Sequence, residues 1–208
     1  MFSLFKKLLI ARQLEMERGV IKVMNNRMTL LPAPFMAYLL KTSKDPIKMG
    51  KECYYSAKLT TYNHLTYLLE KQYGLTHHNL EQWMRDVAEL MGWGEFTIIN
   101  VNWDKKEAII TIKDSPVAKE MGRIGYAVDH VARGATAGSI SIIFRTNIDV
   151  IESKCNSKGD IICEFDIRPN EKFSFNDKLV KQQLYNNDEL KKLGWLKLFR
   201  KDVKYVKE

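Results

Sequence analysis

The segment "RGATAGSISIIF" sets Gly134 and Gly138 four residues apart on one side of a predicted helix within residues 125–144. Each glycine costs a helix about 1 kcal/mol relative to alanine. The pair is therefore expected to be compensated by close approach to a second backbone. Immediately afterwards the pattern changes from helical to extended. "NIDVIESKC" and "IICEFDIRP" are rich in β-branched and apolar residues and are joined through "NSKGD", which predicts a hairpin. A helix that must touch another backbone and then feeds an antiparallel ribbon confines the chain to packed layers of helix and sheet.

The rest of the chain agrees with that plan. "FTIINVNW" and "AIITIK", separated by the polar turn "DKKE", predict another hairpin. Pro32 and Pro34 set the entry of a helix, and a longer helix is expected over roughly residues 47–73, stopped by Gly74. Asn79 and Gln82 have the spacing of a capping box; Leu80, Trp83, Met84, Val87, Leu90 and Met91 follow along one face, and Gly92 supplies the stop. Near the N-terminus, Leu4, Phe5, Leu8, Leu9 and Leu14 recur at helical spacing, predicting an amphipathic helix over residues 2–18 that serves packing or dimerisation. The expected fold class is α+β, an antiparallel sheet of two hairpins covered by helices. The expected organisation is one ligand-binding domain over residues 1–170 and a basic C-terminal tail with a helix over residues 171–208.

Charge narrows the function classes. The chain carries +8, yet residues 178–208 alone hold nine Lys/Arg against four Asp/Glu, so most of the excess is terminal. Elsewhere no run of basic residues with interleaved aromatics forms the groove that a nucleic acid requires, and nucleic acid is not an expected ligand. The first apolar stretch contains lysines and is too short and too charged to span a bilayer, so no membrane span is expected. Three cysteines and no export pattern point to the cytoplasm, where thiols stay reduced.

Cys155 and Cys163 each lie four residues from Gly159, so a symmetric loop would set them across from one another. Directly opposed residues have Cβ atoms about 4.5 to 5.5 Å apart, close enough for two thiolates to share a zinc ion. Two buried thiols packed as small hydrophobes fit the same spacing, whereas a disulfide needs closer Cβ atoms and an oxidising compartment. A zinc ion would need two further ligands. Glu152 is the nearest carboxylate on the strand, although an odd separation from Cys155 would point the two side chains to opposite faces of a regular strand. A bulge or the strand end must then turn one of them.

Taken together, Gly134 and Gly138, Phe144 beyond the helix, Glu152-x-x-Cys155, Gly159-Asp160 and Cys163-x-Phe165 resemble the 4-vinyl reductase family of small-molecule-binding domains. The resemblance covers residues 134–167 closely and the remainder only in the order of its elements. It implies the fold shared with vesicle-tethering subunits and haem nitric-oxide sensor domains, and a homodimer. It also implies a zinc site formed by Glu152, Cys155, Cys163 and a fourth ligand at the head of the glycine helix. Where such members commonly carry Cys-His, this chain reads Asp129-His130, so Asp129, or else His130, is expected as the fourth ligand. Cys53 is a more distant substitute.

Such a closed site is structural, with no position open for substrate. The segments that the resemblance places around a cavity contribute Trp83, Trp93, Phe96, Trp103 and Tyr126, with His78 as a polar contact. The expected partner is an apolar or aromatic small molecule. No Ser/His/Asp arrangement, phosphate loop or dinucleotide fingerprint is present, so no catalytic residues and no nucleotide cofactor are expected. The binding-module reading competes with an assembly subunit and with an accessory to a tetrapyrrole vinyl-reduction step.

Overall fold

The computed structural model describes residues 14–23, 26–70 and 80–195. Its centre is a four-stranded antiparallel sheet, order β4-β5-β7-β6, from strands β4 (Glu95–Asn102), β5 (Glu107–Lys113), β6 (Ile148–Lys154) and β7 (Cys163–Pro169). Both predicted hairpins are present, and β5 pairs with β7 to join them, Ile110 opposite Phe165 and Ile112 opposite Cys163. Ile110, Ile112, Phe165 and Ile167 alternate toward one face and are buried in a single core.

The helices are α1 (Ala33–Thr42), α2 (Pro46–Glu70), α3 (Leu80–Leu90), α4 (Pro116–Met121), α5 (His130–Ile143), α6 (Lys178–Gln183) and α7 (Asn187–Lys192). Helix α5 lies between β6 and α2. Its two glycines answer the first expectation: a Cβ on Gly134 would run into the carbonyl oxygen of Tyr54, and one on Gly138 into that of Lys58. Bare backbone at both positions lets the helices meet main chain to main chain. The contact is reinforced by buried polar groups. Lys58 Nζ lies 2.7 Å from Asp149 Oδ1, the Tyr54 hydroxyl donates to the same oxygen at 2.6 Å, and Asn170 Nδ2 donates to Asp149 Oδ2 at 2.6 Å. Removing one partner of such a buried pair leaves an uncompensated charge and costs about 3–5 kcal/mol.

Two expectations change. Residues 14–18 are not helical: β1 (Leu14–Glu17), β2 (Val20–Val23) and β3 (Asn26–Met28) form a separate antiparallel sheet. The β1–β2 turn places Gly19 at φ +77, which glycine adopts without steric cost, and Lys22 pairs with Glu15 at 2.8 Å across the strands. The remainder of the predicted 2–18 helix, together with Asn79 of the capping box, lies outside the described residues. Second, the segment after Pro169 does not run free as a tail. Phe173, Val180, Leu184, Tyr185 and Leu190 are buried in the main core, and the Tyr185 ring stacks on Tyr55 with centroids 5.6 Å apart. Among the described residues no helix is long and apolar enough to cross a membrane.

Candidate metal centre

The odd spacing of Glu152 and Cys155 is resolved by an irregularity in β6. The ladder with β7 shifts register between Glu152 and Lys154, so the strand turns before it reaches the first cysteine. A short 3-10 turn over Asn156–Lys158 follows, and Gly159 at φ +104 reverses the chain. The loop is held by its own polar groups. Asp160 Oδ2 accepts the Cys155 N–H at 2.8 Å, and the Asn156 side-chain amide donates to the carbonyls of Asp160 and Ile161. Cys155 and Cys163 consequently face one another with sulfurs 3.9 Å apart, both wholly buried and not disulfide-bonded.

Above them sits the residue just before α5. Asp129 does not cap its own helix; its N–H instead donates to Glu152 Oε2 at 3.1 Å, and its Oδ1 accepts from the Ser115 hydroxyl at 2.6 Å. One donor atom from each of Asp129, Glu152, Cys155 and Cys163 lies within 4.8 Å of the others, and all four residues are buried. Asp129 Oδ2 and Glu152 Oε1 have no hydrogen-bond partner among the described residues, an arrangement that costs about 1–3 kcal/mol or more per group unless something else accepts the lone pairs. A divalent cation would do so. Two sulfurs on one tetrahedral zinc, each about 2.3 Å from the metal, stand about 3.8 Å apart, close to the separation found here. The donor set fits the ion.

The electrostatics have the same direction. Burial, and then the neighbouring Asp129 charge, hold the Glu152 carboxyl well above its ordinary value; burial also raises Asp129. The hydrogen bond between the thiols splits them. Cys155 is brought down to about 6 by the Cys163 thiol, and Cys163 is raised because it supplies that hydrogen bond. Without a cation the cluster retains protons that a metal would displace.

His130 is directed elsewhere. Arg133, completely buried, donates through Nη1 to the Val150 carbonyl at 2.7 Å and places Nη2 2.9 Å from His130 Nδ1. Arginine is only a donor, so Nδ1 is the acceptor and the imidazole proton resides on Nε2, over Gly50 of α2. Of the two candidates for the fourth ligand, the geometry thus brings Asp129 to the cluster and turns His130 away from it. Cys53 lies on α2, beside His130 and not among the four donors.

The expected cavity residues do not converge. Trp93, Phe96 and Tyr126 pack in part against the main core. His78 and the side chain of Trp83 lie outside the described residues. Trp103 alone among the others reaches an open groove, formed by Ile98, Val101 and Ile110 of the first hairpin and Ile140, Ile143 and Phe144 at the end of α5. Its ring meets that of Phe144 edge to face at 5.4 Å. Ser115, Arg133 and Gln183 were not anticipated. Gln183 of α6 accepts the Glu152 N–H at 2.7 Å and donates to the Glu152 carbonyl at 3.0 Å, securing the main chain of one candidate ligand. Polar residues in otherwise apolar segments were the available sign, but nothing in the sequence named their partners.

Residues 108–169, from β5 through β7, match the model of the 4-vinyl reductase domain. An uncharacterized protein of Methanocaldococcus jannaschii is 27% identical over 90 residues, 43% of this chain and 52% of that protein, so the chain spans about half the length of this curated relative. Among solved structures, the phenol-responsive sensory domain of the transcription activator PoxR, with phenol, superimposes with a TM-score of 0.65 at 16% identity, covering 86% of this chain and 95% of that domain. A trafficking protein particle complex subunit 3 from Naegleria fowleri, covalently bound to palmitic acid, gives a TM-score of 0.46 at 15% identity, over 65% and 93%. The chain is a remote relative of proteins with the 4-vinyl reductase domain and has the mixed α+β fold of the phenol-sensor domain.

Proposed function

We propose that the protein is a cytoplasmic small-molecule-binding module of the sensory type, acting as a homodimer, in which zinc held by Asp129, Glu152, Cys155 and Cys163 staples the β6–β7 hairpin to the head of α5. The observation that carries this reading is the buried four-donor cluster with two unpartnered carboxylate oxygens. All four positions of a tetrahedral ion would be filled, so the metal would serve structure and leave none open to a substrate. The ligand is an apolar or aromatic small molecule, in keeping with the phenol bound by the structurally similar sensory domain. The groove beside Trp103 supplies an apolar surface for it.

Native mass spectrometry of freshly purified protein, with elemental analysis, tests both parts. One zinc per chain and a retained small-molecule mass are expected. Cys155→Ser should lose the metal and lower the melting temperature of the metal-loaded protein; unchanged metal content in that variant would refute the staple. A second reading, an assembly subunit, is favoured by the exposed Leu30, Leu31, Phe35 and Tyr38 at the start of α1. It would prevail if the purified protein retained no small molecule while a stable partner chain copurified through that patch.

A further inference from the structure

We infer that a second binding site lies at the N-terminal end of α5, between α1, α2 and α4, where the His130 imidazole N–H offers one hydrogen bond to the oxygen of a small, otherwise apolar molecule. The site is separate from the Trp103 groove. It is a cavity of about 10 Å³ lined by Met36, Leu40, Cys53, Val117, Val128 and His130. Five of those six side chains are apolar or weakly polar, and only the imidazole is a strong hydrogen-bonding group.

The donor is fixed by its neighbour. Because Arg133 donates to Nδ1, the proton of the neutral ring stands on Nε2. That atom is buried, with His130 only 4% exposed, and has no acceptor among the described residues. The same tautomer rules out a metal at Nε2, since a coordinating nitrogen must present its lone pair. Space for the ring edge is supplied by Gly50, where any Cβ would overlap Nε2. The helix is thus bare at the one place where a side chain would seal the donor.

The present room is that of a single water, but a buried water uses two to four polar partners and finds one strong partner here. A carbonyl, ether or hydroxyl oxygen on an apolar body matches the lining better. Met36 and Cys53 are half-buried at the margin, and an unbranched methionine is the side chain most able to yield to an entering molecule. Burial keeps the Cys53 thiol above its ordinary value, so it acts as a weakly polar wall and not as a nucleophile.

The test uses the full chain labelled with ¹⁵N-histidine, cyclopentanone as the probe and methylenecyclopentane as its counterpart without the oxygen. The ketone should move the His130 Nε2–H resonance downfield and slow modification of Cys53 by a small methanethiosulfonate. It should bind about tenfold or more tightly than the hydrocarbon, the equivalent of one net hydrogen bond. Met36→Trp, which fills the mouth without touching the buried imidazole, should abolish both effects. An unmoved Nε2–H resonance, equal binding of the two probes, or unchanged effects in Met36→Trp would each overturn the site. None of these readouts depends on whether zinc occupies the four-donor cluster or a ligand occupies the groove beside Trp103.

Discussion

The two hairpins of the central sheet have the same antiparallel build and opposite surroundings. The β4–β5 ribbon projects into solvent at its turn, with Ile99 60% and Trp103 59% exposed. In β6–β7 nearly every residue of β6 is buried, including Asp149 and Glu152, and the turn closes over two buried thiols. An exposed ribbon is stabilised by cross-strand pairs and its one apolar face. A buried ribbon carrying charges must find a counter-charge, a hydrogen bond or an ion for each of them. The second hairpin is accordingly the place where the chain has committed chemistry, and the first is where it has left apolar surface available.

That contrast can be broken most directly at Asp149. Asp149→Ala strips the partner from Lys58 and the acceptor from Tyr54 inside the core, and should lower unfolding free energy in denaturant by about 3–5 kcal/mol. A loss below about 1 kcal/mol would mean that the polar network does not hold α2 against the second hairpin. An intermediate effect is expected from pH. In the metal-free protein Glu152 keeps its proton above the ordinary 4.5 because it is buried, while the unfolded chain has already released it. Folding therefore takes up protons in that window, so stability is greatest below about 4.5 and declines as pH rises toward the folded value. With chelator present the melting temperature should fall between about pH 5 and about pH 8, and with zinc present it should rise, because the ligands must be deprotonated to bind. Equal slopes in the two conditions would separate the carboxyl from the metal. The smallest effect belongs to the first hairpin. Trp103→Ala removes a mostly exposed ring and one edge-to-face contact with Phe144, for a cost of about 1 kcal/mol in the same denaturant titration and no change in metal content.

The same contrast explains what could be read from the sequence. Both hairpins, the long α2 and the glycine pair of α5 were legible because each rests on a local pattern: alternation, turn residues, or two glycines that only a close neighbour would excuse. The strands at 14–28 were not. "LEMERGVIKV" spaces its apolar residues as a helix would, and only the left-handed Gly19 and the Glu15–Lys22 pair, which are facts of the folded chain, make it a ribbon. The candidate metal residues were suggested by geometry and resemblance together, since the bulge that turns Glu152 toward Cys155 leaves no mark in the residue types. Arg133, Lys58 and Asp149 read as solvated charges. Their burial depends on partners roughly 90 residues away for the lysine and aspartate, and no local window contains both ends.

The Gln183 amide bonded to both polar atoms of the Glu152 main chain has a consequence for how copies of this protein meet. One side chain there imitates a residue of a fifth strand, so the outer margin of β6 offers a foreign polypeptide no row of free donors and acceptors at that point. Unwanted sheet-to-sheet polymerisation is thereby steered to the other margin, β4, whose irregular register at Ile98–Asn100 is itself a poor template for a neighbour.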